Sequence, residues 1–346
     1  MTAPAQAGRR LAVLGALLLA SLAAVALVVA ISVGIGDLPI PLATTFSAIT
    51  NRLGWTRVEI SRIHETVIWD YRLSRALVAA CCGAGLALSG AIMQSLLRNP
   101  LAEPYVLGIS AGASTGAVAI VILGLGGGAV ALSVGAFAGA FAAFLLVALL
   151  SNGTRGGADR TILAGVAASQ LFNAATSYIV TTSGNAQQAR DVMFWLLGSF
   201  GGVRWPEFTL VALVVGSGLV ACLLQARILD AFAFGDEAAA ALGVQVGRAR
   251  LALFALTALM TATIVSMVGS IGFVGLVVPH TARFVVGPLH LRLLPACAVA
   301  GAVFMVLADI AARALIPQQV LPIGVVTALV GVPVFSLILY RFQGAA

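Results

Sequence analysis

Long uncharged stretches separated by single charges set the rhythm of this chain. Residues 11–36, 76–97, 104–154, 161–189, 208–226, 251–282, 293–308 and 314–340 contain no Asp, Glu or Arg. A charge at a bilayer centre costs roughly 2.5–3.5 kcal/mol, so such runs mark membrane spans. Each crossing of about 30 Å of hydrocarbon takes about 20 apolar residues in a helix. The run 104–154 therefore holds two spans, hinged at "GLGGG" (Gly124–Gly128). The run 251–282 is long for one helix; "GSIG" (Gly269–Gly272) is the predicted break, with a short span after it. The expectation is an all-α polytopic membrane protein with about ten transmembrane helices, forming one domain over residues 1–346.

Composition agrees. The 346 residues are 61% hydrophobic and 9% charged, with mean hydropathy +1.08, whereas soluble domains carry about 25% charged residues. All 19 basic residues are arginine. Without lysine there is no Walker A loop, so this chain is not itself an ATP-driven motor. The pI near 10.1 comes from arginines scattered singly between apolar runs, which read as orienting loop charges and not as a nucleic-acid surface. Cys81, Cys82, Cys222 and Cys297 lie within apolar runs at no metal-ligand spacing, so small buried hydrophobes are expected, with no metal or cofactor. The first run, Leu11–Gly34, follows Arg9 and Arg10. It exceeds the 7–15 apolar residues typical of a signal peptide and reads as an uncleaved span.

An even span count puts both termini on one side, and Arg9, Arg10 and Arg341 assign that side to the cytoplasm. Arg72, Arg75 and Arg313 then fall outside, against the insertion preference, and need a reason to be there. Trp55, Trp69, Trp195 and Trp205 fall on the same outer side. Two segments are long enough to be more than turns: an extracytoplasmic loop, 37–70, and a cytoplasmic one, 227–250. In the second, "RILDAFAFGDEAAAALGVQVGRAR", Asp236 and Glu237 favour a helix N-terminus and Gly243 stands where a C-terminal cap belongs. "GAGLALSGA" (83–91) and "GAFAGAFAA" (135–143) are small-residue faces for close helix packing.

Asp309 precedes Arg313 by four residues, so the two share a helical face and form an expected ion pair. An intramembrane acid also suits a proton-driven secondary transporter, the rival from a different class. His64 and His290 are expected in loops and His280 toward the cytoplasm, all in structural or solvated roles. No Ser/His, HExxH or paired-acid motif within the spans supports an intramembrane enzyme.

Three blocks carry a resemblance. "RLSRALVAACCGAGLALSGAIMQSLLRNPLAEPYVLGISAGAS" (72–114), "GSIGFVGLVVPHTARFVVGPLHLRLLP" (269–295) and "LADIAARALIPQQVLPIGVVTALVGVPVF" (307–335) resemble the FecCD family, permease subunits of ABC importers for iron chelates, heme and cobalamin. The similarity runs from Tyr71 to Arg341. It implies a type II ABC importer permease fold in the bacterial inner membrane. It also implies a homodimer, two separate ATP-binding subunits and a periplasmic or lipid-anchored binding protein. Arg72, Arg75 and Arg313 match the arginines that receive acidic residues of that binding protein. Asn99 matches the cytoplasmic gate, and Gly157, Ala158 and Asp159 the second gate segment. The 227–250 loop, with Gly235, Asp236, Glu237, Ala238, Leu242 and Gly243, would couple to the ATPase. Ser74 stands where the family usually has a helix-starting proline. By family precedent the cargo is an iron chelate, a ferric siderophore or heme, with cobalamin the alternative. No covalent chemistry is expected of this chain.

Overall fold

The computed structural model describes residues 3–36, 38–124, 129–151, 157–183, 186–316 and 319–343. Helix α1 (Ala3–Gly34) is followed by a short surface helix, α2 (Leu42–Arg52). Helix α3 (Arg62–Thr66) continues through a π-helical stretch (Val67–Leu73) into α4 (Ser74–Leu96). A 3₁₀ turn (Pro104–Leu107) leads into α5 (Ile109–Leu123), α6 (Ala129–Leu150), α7 (Ala158–Ser183) and α8 (Ala186–Leu196). Then come α9 (Trp205–Leu224), α10 (Ala226–Ala233), α11 (Asp236–Ala241) and α12 (Val246–Val268). The chain ends with α13 (Val274–Val286), α14 (His290–Ala314) and α15 (Ile323–Gln343). Among the described residues, 6 helices are long and apolar enough to cross a membrane. Four shorter apolar helices, Leu19–Gly34, Ile109–Ile122, Val274–Val286 and Ile323–Leu337, bring the set to the expected ten.

The predicted break at Gly269–Gly272 is real. Helix α12 stops at Val268, Gly269 takes φ +76° and Phe273 opens α13 at φ +70°. The hinge within 104–154 begins at Gly124, left-handed at φ +63°; its other residues, 125–128, lie outside the described set. The expected loop 37–70 is corrected. It contains α2, and the following helix already begins at Arg62, giving one apolar stretch of 35 residues, Arg62–Leu96. Charges at Arg62, Glu65 and Asp70 concealed that start, because a charge-free run marks only the lipid-depth part of a helix. Glu65 is held by Arg52 of α2 at 2.8 Å. Asp37, the loop's first residue, lies outside the described set.

Helix α4 is the hub, packed by α9, α12, α13 and α14. Lipid tails give apolar helices no hydrophobic reason to associate, so close backbone approach at small residues supplies the contact. The glycines of "GAGLALSGA" do this: a Cβ on Gly83 would lie 2.1 Å from the Gly301 carbonyl oxygen, and one on Gly90 1.8 Å from that of Gly275. In the second stripe Gly139 approaches Gly112, and Gly135 approaches Gly116. Gly90→Leu should therefore push α4 from α13, costing about 1–3 kcal/mol or more, because the clash is with backbone and no side chain can swing away. A lowered thermal midpoint in detergent checks this; an unchanged midpoint would mean the helices separate freely.

Candidate functional site

At one end of the bundle the ends of α1 and α14 meet the start of α4 around Asp309, whose side chain is fully buried. Its Oδ1 accepts from Arg75 Nε at 2.8 Å and lies 2.7 Å from a terminal guanidinium nitrogen of the same residue. Its Oδ2 accepts from Arg313 Nε at 3.1 Å. The expected Asp309–Arg313 pair is thus one half of a shared carboxylate, and Arg75, 234 positions away in sequence, is the other half. Arg313 also donates to Ser32 Oγ at 2.8 Å and to the Ile35 carbonyl, which ties α14 to the end of α1. Arg72, buried, donates to the carbonyls of Val33, at 3.2 Å, and Leu38.

The structure gathers Arg72, Arg75 and Arg313 on one pocket of about 260 Å³ and adds Arg204, which sequence reasoning missed. Arg204 is the N-cap residue of α9; its backbone N–H donates to Glu207 Oε2 at 2.8 Å, and its guanidinium lies over the Tyr71 ring at 3.9 Å. The Pro and Glu that follow it within three residues are the helix-start signal that could have located it. Trp69 and Trp205 touch at 4.9 Å beside this site. Among the described residues the lining of this pocket carries four guanidinium groups and no acid, a chemistry suited to anionic groups. The missing proline at position 74 has a simple structural consequence. Residue 74 lies inside a continuous helix rather than at its start, and the Ser74 hydroxyl donates to the Asp70 carbonyl at 2.6 Å.

The opposite end of the bundle holds the remaining candidates. Helix α4 ends at a turn in which Arg98 is left-handed at φ +48°. Asn99 Oδ1 accepts the Leu101 N–H at 2.9 Å, so its side chain shapes the turn. Gly157 is exposed, and Ala158 and Asp159 open α7, where an acid suits the helix dipole. Burial pushes the Glu103 carboxyl above its ordinary value, partly offset by a hydrogen bond from the Phe273 backbone. Helix α11 forms at the expected place. Gly235 is its N-cap at φ +105°, and Asp236 pairs with Arg250. Gly243 is left-handed at φ +83°. Its N–H reaches the Ala240 carbonyl at 2.9 Å and the Val244 N–H reaches that of Ala239 at 3.0 Å. This reciprocal pair is a Schellman cap. Leu242 (74% exposed) and Phe234 (81% exposed) present an apolar surface around α11. Arg98 shares a pocket of about 330 Å³ with Gly235, Asp236 and Glu237, so the turn after α4 and α11 are brought together.

The histidines need correction. His64 lies within α3, and His290, expected in a loop, is the first residue of α14 and only 2% exposed. Its partners lie far away in sequence, which the local pattern could not show.

Three comparisons bear on this arrangement. The chain is 39% identical over 315 residues to the cobalamin import system permease protein of Halobacterium salinarum, covering 90% of this chain and 82% of that one. It is 36% identical over 315 residues to the hemin transport system permease protein of Yersinia pestis, covering 90% and 91%. A solved structure described as an inward-facing conformation of a metal-chelate type ABC transporter superposes with a TM-score of 0.83 at 30% identity, covering 94% of this chain and 99% of that one. Residues 22–341 match the FecCD transport family, and with the all-helical fold and apolar spans already described, this chain is a membrane-embedded permease of the FecCD type and belongs to that family.

Proposed function

We propose that this chain forms, as a homodimer, the membrane path of an importer for a metal chelate, a ferric siderophore or heme, driven by two separate ATP-binding subunits. The observation that carries the reading is the concave cluster of Arg72, Arg75, Arg204 and Arg313 at the end opposite α11. An importer needs a cargo-delivery face and an energy-coupling face at opposite ends. The arginine end faces outward and takes carboxylates of a periplasmic or lipid-anchored binding protein; the α11 end and both termini face the cytoplasm of a bacterial inner membrane. Gly235, Asp236, Glu237, Ala238, Leu242 and Gly243 dock the ATPase, and Asn99 with Gly157, Ala158 and Asp159 closes the path toward the cytoplasm. Cobalamin, itself a metal chelate, is the second cargo reading, favoured by the cobalamin permease relative. The absorption spectrum and mass of the ligand retained by the cognate binding protein decide between them: a corrin overturns the iron-chelate choice, and heme or a ferric siderophore supports it.

The docking role has its own test. Charge reversal at Arg75 or Arg313 would set a like charge against buried Asp309, so neutral Arg75→Gln and Arg72→Gln are the cleaner variants. Salt screens charge attraction over a Debye length of about 8 Å at physiological ionic strength, and complementary charges mainly raise the encounter rate. Association of the binding protein with the reconstituted complex should slow about tenfold at low salt in these variants, with a shallower salt dependence. Wild-type rates at low salt in both would assign the arginines to structure alone.

A further inference from the structure

A second polar cluster, at the α11 end, joins three elements through one side chain. His290 Nδ1 lies 2.6 Å from Asp230 Oδ1 on α10, and the same oxygen accepts the His290 backbone N–H at 2.9 Å. Its Nε2 lies 2.7 Å from Ser95 Oγ in the last turn of α4. Ser95 Oγ is also 3.0 Å from the Ala91 carbonyl. Ser, His and Asp in this order resemble a nucleophilic relay, yet Ser95 is only 5% exposed and packed among helices, where no substrate reaches it. The geometry instead suits holding. With a neutral ring, Nδ1–H donates to Asp230 and Nε2 accepts the Ser95 hydroxyl. With a charged ring, Nε2–H donates to Ser95 and the hydroxyl turns to Ala91. The bridge survives either state, which marks it as a fixed link.

What it links is specific. Asp230 sits on α10, and α10 packs against α11. Ser95 follows Gln94, whose amide donates to the carbonyls of Gly275, at 3.3 Å, and Leu276, at 3.1 Å, on α13. Gln94 also accepts from Arg283 of α13, and its own carbonyl accepts the Asn99 N–H at 3.2 Å. The turn bearing Asn99 is thus fastened to the same helical turn that His290 grips. We propose that the Asp230–His290–Ser95 bridge transmits movement of α10 and α11 to the end of α4 and the Asn99 turn, with His290 a positioning residue for coupling. The inference rests on the reading that α11 docks the ATPase.

Charge-assisted buried hydrogen bonds are strong, and a link that yields wastes the motion it should pass on. In proteoliposomes holding permease, ATPase and binding protein, His290→Leu and Ser95→Ala should raise the ATP hydrolysed per cargo molecule by about tenfold, the effect of losing one such bond. Asp230→Asn keeps an oxygen acceptor for both His290 donors but loses the charge, so its ratio should fall between wild type and His290→Leu. A purely structural role would lower yield and thermal midpoint without changing this ratio. Ser95→Ala leaves the His290–Asp230 pair intact, so it serves even if His290→Leu does not fold. A wild-type ratio in folded Ser95→Ala overturns the bridge. Failure of any ATPase to co-purify with the wild-type chain overturns instead the docking reading beneath it.

Discussion

Asp309→Ala is expected to be the most destabilising single change in the chain, costing about 3–5 kcal/mol, the usual range when one partner of a buried ion pair is removed. The carboxylate is fully buried and shared, Oδ1 with Arg75 and Oδ2 with Arg313. Its loss removes the carboxylate that Arg75 and Arg313 share, their side chains 15% and 10% exposed. It also frees Arg313 from the position in which it holds Ser32 and Ile35 at the end of α1. A loss of monodisperse protein in detergent and a large drop in thermal midpoint are the expected signs. The triple variant Asp309→Leu, Arg75→Met, Arg313→Met should recover much of that stability, since apolar replacements of buried ion triads are often neutral or better. It should still fail to recruit the binding protein, which separates the fold's use of the cluster from the transporter's. A midpoint in Asp309→Ala close to wild type would show that water already screens both arginines.

Gly243→Pro should be the second large effect, and it acts on coupling. The residue sits at φ +83° and its N–H closes the α11 cap on Ala240. Proline fixes φ near −65° and has no N–H, so both features are lost; a helix-breaking proline costs about 3 kcal/mol. Gly243→Ala keeps the N–H and pays only the left-handed strain of about 1–2 kcal/mol. Both variants should insert normally, because α11 lies between spans. ATPase co-purification and uptake should fall about tenfold or more in the proline variant and only partly in the alanine variant, following those two penalties. Full ATPase recovery with Gly243→Pro would move the docking surface away from α11.

What the sequence could and could not show follows from the solvent around this chain. Charge-free runs located the spans because lipid penalises charge at depth, and glycines marked the break at Gly269 and the close contacts of Gly83 and Gly90 because backbone geometry is local. The Schellman cap at Gly243 was legible for the same reason. Long-range polar pairing was not. Arg75 reaches Asp309 across 234 positions, and His290 meets Ser95 across 195 and Asp230 across 60. Nothing near either residue reports a partner brought in by packing. The helix start at Arg62 was hidden for the opposite reason: its first turns carry Arg62, Glu65 and Asp70, and charge was the signal used to end a span. Arg204 was one of the scattered arginines that read as orienting loop charges; the fold places it on the pocket of Arg72 and Arg75.

As proposed, this permease moves cargo inward using ATP hydrolysed by partner subunits, with delivery at the arginine end. The most direct measurement is uptake of binding-protein-loaded cargo into proteoliposomes containing the permease and its ATPase, with and without hydrolysable ATP, against an imposed proton gradient alone. Uptake is expected only when binding protein, ATPase and hydrolysable ATP are all present, unaffected by collapse of the proton gradient. Uptake driven by the gradient without ATP would contradict it and identify a secondary transporter.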